Sequence, residues 1–277
     1  MRGETRSIAA AGLTAWLIAL QGCAEVGLQS SESTAGLFLP HGFSATVFAD
    51  GIGRARHIVV NANGDVYVAL RADDSVPGVQ GAGGLMALRD IDGDGVADVS
   101  RAFGPADVNT GLALHDGALY YSTTTAVYAI ELDGALAPSA QPELLVGGFP
   151  EQASHTAKPI TFDAEGYLYV NSGAPSNACQ EAIRTPGSPG RVPCRELERA
   201  GSIWRFDGAH RGLDQLSDGT RFSTGSRQIV ALEYNAMDDQ LYMVMHGRDQ
   251  LDELWPAWYT QQDGRDLPAE EFHAVNQ

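Results

Sequence analysis

A strand, a tight polar turn and a second strand recur along this chain, and the recurrence limits its fold more than any other feature. Ile58-Val59-Val60 and Val66-Tyr67-Val68 flank an Asn63-Gly64 turn, and Leu112-Ala113-Leu114 and Leu119-Tyr120-Tyr121 flank Asp116-Gly117. Ile160-Thr161-Phe162 and Tyr167-Leu168-Tyr169-Val170 repeat the pattern around Gly166, and Ile229–Tyr234 with Leu241–Met245 form a fourth copy. Asn-Gly and Asp-Gly dipeptides supply the positive φ that tight hairpins require. The first three turn glycines stand roughly 50 residues apart, a period typical of propeller repeats. Further short strands are predicted at Leu85–Leu88, Ala126–Leu132 and Ser202–Phe206, and no amphipathic helix of useful length is evident. This pattern predicts an all-β fold, a β-propeller whose blades pack face to face, over a β-sandwich. About four blades fit in the chain. The stretch Glu270–Gln277 shows no closing strand, so an incomplete propeller is expected.

Charge narrows the partners. Lys and Arg number 18 against 35 Asp and Glu, a formal net charge of −17, so a phosphate backbone would be repelled almost everywhere and nucleic acid is excluded as a partner. The N-terminus reads as an address. Arg2 and Arg6 precede an apolar run, Ile8–Leu20, that is too short for a comfortable membrane span and ends in Leu20-Gln21-Gly22-Cys23. Leu and Gly ahead of Cys resemble a bacterial lipobox. The expected organisation is a lipoprotein-type signal peptide over 1–23 with Cys23 lipidated, a polar tether over 24–37 and the propeller over 38–277. Such a protein would be exported and held on the periplasmic side by a lipid anchor, and Ala24 after the Cys favours the outer membrane. Cys179 and Cys194 then remain, separated by a Pro/Gly-rich loop. In an oxidising compartment they suggest a disulfide rather than two buried thiols, worth about 3 kcal/mol in the chain-entropy model.

Two clusters point to chemistry. Asp90, Asp92, Asp94 and Asp98 place carboxylates on alternating residues with Gly95 at the sharp turn, as calcium loops do. Arg101 at the twelfth position excludes an EF-hand, leaving a short calcium-stabilised turn or a metal-free Asp/Gly turn. In the fourth hairpin, the start of one strand lies beside the end of the next. Arg227 and Gln228 are thereby brought to the same sheet end as His246-Gly247-Arg248-Asp249.

Several strings, in order, resemble the soluble pyrroloquinoline-quinone (PQQ) dependent sugar dehydrogenases, the glucose/sorbosone dehydrogenase family. They are Leu39-Pro40 with Gly42-Phe43, Arg56-His57-Ile58, the Leu88–Gly95 stretch, Ser154-His155, the Asn177–Cys194 loop, Ala200–Arg205, Gly225 with Arg227, and His246–Asp249. The resemblance implies a six-bladed propeller with PQQ and calcium at one face near the axis, of which about four blades lie in this chain. It implies oxidation of an aldose or sorbosone-type sugar hydroxyl by hydride transfer to the quinone, with a quinone or cytochrome as electron acceptor.

Residue by residue, the resemblance makes His155 the general base, and an imidazole, largely neutral near pH 7, suits that task. It places Arg227 on the quinone carbonyls, where it would steady developing negative charge. Gln228 stands where the family commonly has Asn, and Asn109 where the glucose enzyme has a Gln beside the cofactor. The backbone carbonyls of Gly247 and Arg248 fall where the family binds calcium. Ser154 replaces an aspartate beside the catalytic histidine, which makes glucose itself a doubtful substrate. The competing expectation is a calcium-stabilised propeller that binds carbohydrate or protein without redox chemistry.

Overall fold

The computed structural model describes residues 37–72, 83–267 and 270–276. The leader through Cys23 and all of the tether but Leu37 lie outside the described residues. The chain divides into two compact units at Val47/Phe48. In the first, the described residues form a turn in which the Phe43 N–H donates to the Pro40 carbonyl at 3.1 Å. The second unit carries the sheets.

Its first sheet is β1 (Ala55–Val60), β2 (Val66–Leu70), β3 (Gly84–Arg89) and β4 (Val99–Phe103), antiparallel in sequence order. The second is β5 (Leu112–His115), β6 (Ala118–Ser122), β7 (Val127–Glu131) and β8 (Glu143–Gly147). The third begins with β9 (Ile160–Phe162), β10 (Tyr167–Ser172) and β11 (Ser202–Asp207). The chain then makes a two-residue excursion, β12 (Leu213–Asp214), which pairs parallel to β8 of the second sheet. It returns as β13 (Thr220–Thr224) to complete the third. The fourth sheet is β14 (Gln228–Asn235), β15 (Gln240–His246) and β16 (Glu271–Val275). Two short helices, α1 (Leu251–Leu254) and α2 (Gln261–Asp266), connect β15 to β16.

These sheets are four blades arranged as a β-propeller, and the first strands of successive blades adjoin: β1 to β5, β5 to β9, β9 to β14. The two-residue period of a strand explains the packing. On β10, Leu168 and Val170 are fully buried against Leu145, Val146 and Phe149 of the second blade. Tyr169, between them, points the other way and packs with Ile229, Leu232 and Leu241 of the fourth. A blade between two others must therefore be apolar on both faces, which is why β10 reads as a nearly continuous apolar run. Between the first and second blades the same role falls to Tyr67, Leu85, Leu112, Leu119 and Ile130.

The turns follow their sequences. Asp116 and Gly117 both take positive φ (44° and 78°), a two-residue primed turn. Around Gly64 and Gly166 only the glycine is left-handed (φ 90° and 87°), the geometry of a three-residue loop closed by a glycine bulge. Glu270–Gln277 shows no strand pattern in its sequence, yet Glu271–Val275 pairs antiparallel with β15 as the third strand of the fourth sheet, Phe272 stacking on Tyr242 at 5.4 Å. Glu271, Phe272, His273 and Ala274 are all exposed, so no apolar alternation marks the strand.

Candidate functional site

At the end of the sheets where β14 begins and β15 ends, five segments meet around an open cleft of about 510 Å³. Ser154 and His155 come from the loop between β8 and β9, Arg184 from the loop between β10 and β11, Arg227 from the entry to β14, Gly247 and Asp249 from the exit of β15, and Glu270 from the entry to β16. The two residues that the sequence singles out for catalysis, His155 and Arg227, thus line one cleft although they sit on different blades.

His155 has a left-handed backbone (φ 53°), a conformation costing a non-glycine residue about 1–2 kcal/mol. Its ring Nδ1 bonds the carbonyl of Ala174, at the exit of β10. A carbonyl can only accept, so Nδ1 carries the proton and Nε2 keeps its lone pair. Burial lowers the pKa of this imidazole. The Ala174 bond and the Asp249 carboxylate oppose that shift, while Arg227 and Arg184 reinforce it. On balance the ring is held neutral, and the Ala174 bond leaves Nε2 as the nitrogen that can accept a proton.

Arg227 is largely buried and doubly held. Its Nε donates to Asn177 Oδ1 at 2.5 Å, and its Nη2 lies 3.0 Å from Asp249 Oδ2. Asn177 in turn donates to Asp249 Oδ1 at 2.5 Å. Arg184 approaches the same carboxylate at 3.8 Å. Burial pushes the Asp249 carboxyl up, but the Asn177 bond and the two guanidinium charges outweigh it, so its pKa lies below the ordinary value. Arg184 is presented by the loop that the Cys179–Cys194 disulfide closes (Cα–Cα 6.0 Å), the pairing expected from the sequence, and Asn177 by the residues leading into it.

A second, adjoining cleft of about 450 Å³ runs from Asn177 and Cys179 past Arg227 to Gly247 and Arg248. Among the described residues the Gly247 and Arg248 carbonyl oxygens accept no hydrogen bond, which leaves both available to a cation. His246, beside them, is bonded through Nδ1 to Glu270 Oε2 at 2.5 Å. Arg227 supplies a fixed positive charge on the wall shared by the two clefts. Two carbonyls with no partner among the described residues, a held guanidinium and an imidazole nitrogen are groups that would suit a quinone cofactor and a divalent cation.

Asn109 and Gln228 lie elsewhere. Both are buried, and neither lines the two clefts; their amide groups bond the backbone of the His155 loop itself, at Thr156 and Ala157. The acidic turn lies on the first blade, between β3 and β4. There the Asp90, Asp92 and Asp98 carboxylates come within 4.8 Å of one another, while Asp94 falls outside the group and accepts from the Val96 N–H. Asp90 accepts from Gly95 and Gly93 N–H groups, which hold its pKa low. Sequence reasoning gave no role to Arg184, Glu270 or Gln152. Each reaches the site through contacts that no local string displays.

The model of one family, described as TrAA12-like, matches residues 37–277. No curated protein matches the sequence. Among solved structures, the PQQ domain of pyranose dehydrogenase from Coprinopsis cinerea, in its holo form, is similar at 16% identity and TM-score 0.59, covering 73% of this chain and 46% of that one. A calcium structure of a Trichoderma reesei carbohydrate-active enzyme of family AA12 is similar at 17% identity and TM-score 0.61, covering 83% and 56%. An iodide structure from the same fungus and family gives 18% identity and TM-score 0.62. At these identities the likeness is one of fold, and the chain spans about half the length of those structures.

Proposed function

The chain belongs to the TrAA12-like family, within the PQQ sugar dehydrogenase-like group that its sequence resembles, and from that premise we propose that it takes part in PQQ-dependent oxidation of a sugar hydroxyl. The observation that carries this reading is the pairing in one cleft of His155, its Nδ1 fixed as donor, with the held Arg227.

Bound in the cleft, PQQ would supply the hydride acceptor. Arg227 would hold it by its carbonyl oxygens, and the Gly247 and Arg248 carbonyls would hold a calcium ion against it. The chain's own part is to bind, orient and move a proton. His155 accepts the proton of the sugar hydroxyl at Nε2 while its Nδ1–H stays on the Ala174 carbonyl, so the ring does not rotate as it becomes charged. Arg227, locked by Asn177 and Asp249, presents its charge without reorganising, which is what makes a preset dipole or charge effective at a transition state. Ser154 stands where the resemblance leads one to expect an aspartate, which argues against glucose and for another aldose or a sorbosone-type sugar as substrate. Electrons would pass onward to a quinone or cytochrome acceptor. The Asp90–Asp98 turn would hold a structural calcium, remote from this chemistry.

Reconstitution of the purified chain with PQQ and calcium, followed by dye reduction across a panel of sugars, tests the reading. A cofactor spectrum with turnover on at least one sugar is expected. Cofactor binding with no turnover on any sugar would favour the non-catalytic, carbohydrate-binding propeller, and no cofactor binding at all would remove PQQ from the account.

A further inference from the structure

Four consecutive backbone carbonyls around His155 each accept a hydrogen bond from an amide side chain. Gln152 Nε2 donates to the Ser154 carbonyl at 2.8 Å and the His155 carbonyl at 3.1 Å, and also reaches the Gly173 carbonyl at 2.9 Å. Asn109 Nδ2 donates to Thr156 at 2.9 Å. Asn171 Nδ2 and Gln228 Nε2 both donate to Ala157, at 3.0 and 2.9 Å. The donors are gathered from the entry to β5, the loop itself, β10 and the entry to β14, so three blades grip one four-residue segment.

Carbonyls only accept, so each amide must turn its nitrogen toward the loop. The other end of the amide bears the consequence in two cases: Asn171 Oδ1 and Gln228 Oε1 are buried with no partner. Those two oxygens bear a desolvation cost that the bonds to the loop carbonyls must offset, so the loop backbone is held in place at a cost elsewhere. Close packing points the same way. A Cβ on Gly173 would overlap both the His155 carbonyl oxygen and Gln228 Oε1, so only glycine lets β10 lie this close under the loop. What the grip fixes is the left-handed backbone of His155 and, through it, the ring bonded to the Ala174 carbonyl.

We propose that Gln152, Asn109, Asn171 and Gln228 are positioning residues for His155, an amide cage that holds its backbone and thereby keeps Nε2 as the unprotonated nitrogen. The inference rests on the reading of His155 as general base, but its test does not need turnover. In full-length protein labelled with ¹⁵N-histidine, His155 is assigned by its loss in His155→Gln. It should show the Nδ1–H tautomer with the cofactor absent. In Gln152→Ala, and equally in Asn109→Ala, that signal should become a mixture of tautomers. Gln152→Glu keeps the size of the side chain but removes the donors, so it should behave as Gln152→Ala does and serves if the smaller side chain impairs folding. In loaded protein the same Gln152 variants should lower kcat about 10-fold to 100-fold with KM unchanged, as a displaced reacting group does. Imidazole signals identical to the parent protein in all three variants would overturn the cage. A tautomer change together with full turnover in His155→Gln would leave the cage standing and remove His155 as the base.

Discussion

The two halves of the cleft are fastened by different forces. On the His155 side the fastenings are neutral: amide nitrogens on four successive carbonyls, and a carbonyl on the ring. On the Arg227 side they are ionic: a carboxylate shared by Arg227 and Arg184, braced by Asn177 just ahead of the disulfide-closed loop. On the proposed reading, the group that changes its charge is held by groups that cannot, so gaining a proton disturbs nothing that positions it. The group whose charge never changes can be held by charge, because guanidinium stays protonated at any working pH. A carboxylate at position 154 would have drawn the proposed base further toward its charged form, in the direction Asp249 already pulls it.

The sharpest way to break the comparison is to remove each half in turn. His155→Ala should lower kcat by about 100-fold or more, as loss of a general base does, while PQQ titration into the protein is unchanged. Arg227→Ala should do the reverse, weakening PQQ about 10-fold to 100-fold, the worth of a charge-assisted hydrogen bond. Steady-state rates and a cofactor titration on each variant read the two effects separately. If both variants lose cofactor and rate in the same proportion, the halves are not distinct and the contrast fails.

A charge does sit on the neutral side, and it offers the next largest effect. Lys158 follows the caged segment and is buried with no carboxylate partner among the described residues; its Nζ lies 3.4 Å from the Asn171 carbonyl and 4.4 Å from the Phe149 ring centroid. Burial lowers its pKa from 10.5 to about 7. The unfolded chain therefore binds more protons than the folded one between those values, so stability should climb as pH rises from about 7 toward 10.5. Below that window the buried charge costs on the order of a few kcal/mol. Lys158→Met should flatten the climb and stabilise the protein at neutral pH, measured as urea midpoints across that range. A parent protein whose stability is level over the same window would show that Lys158 is solvated, and with it the amides next to it.

How much of this was legible in the sequence follows from where the signal lies. The inner strands announce themselves because they are apolar on both faces, as β10 is, and the hairpin turns because Gly64, Gly117 and Gly166 need positive φ. Outer strands do not: β4 reads Val-Ser-Arg-Ala-Phe and buries no residue fully, and β12 is two residues long and belongs to another blade's sheet. His155 and Arg227 were legible because each lies in a local string. The cage was not. Asn109 and Gln228 stood out as residues, but their partners lie 47 and 71 positions away, across blade boundaries that no local pattern encodes.

The smallest effect expected lies in the ionic half alone. Asp249 is half exposed, at 50%, so water and salt screen its pairing with Arg227, and the pair should be worth less than about 1 kcal/mol. Its folded pKa lies below 3.8, so the stability it lends is complete above that value and is lost as pH falls through the lower folded value. Asp249→Asn keeps the shape and discards the charge. Its urea midpoint should respond less than that of the parent protein both to added salt and to acid in that window. Gln152→Ala, whose lost bonds are neutral, should shift the midpoint equally at low and high salt. If instead the salt response follows Gln152 and not Asp249, the cage has an ionic member, and the division of the cleft into a neutral and a charged half must be redrawn around it.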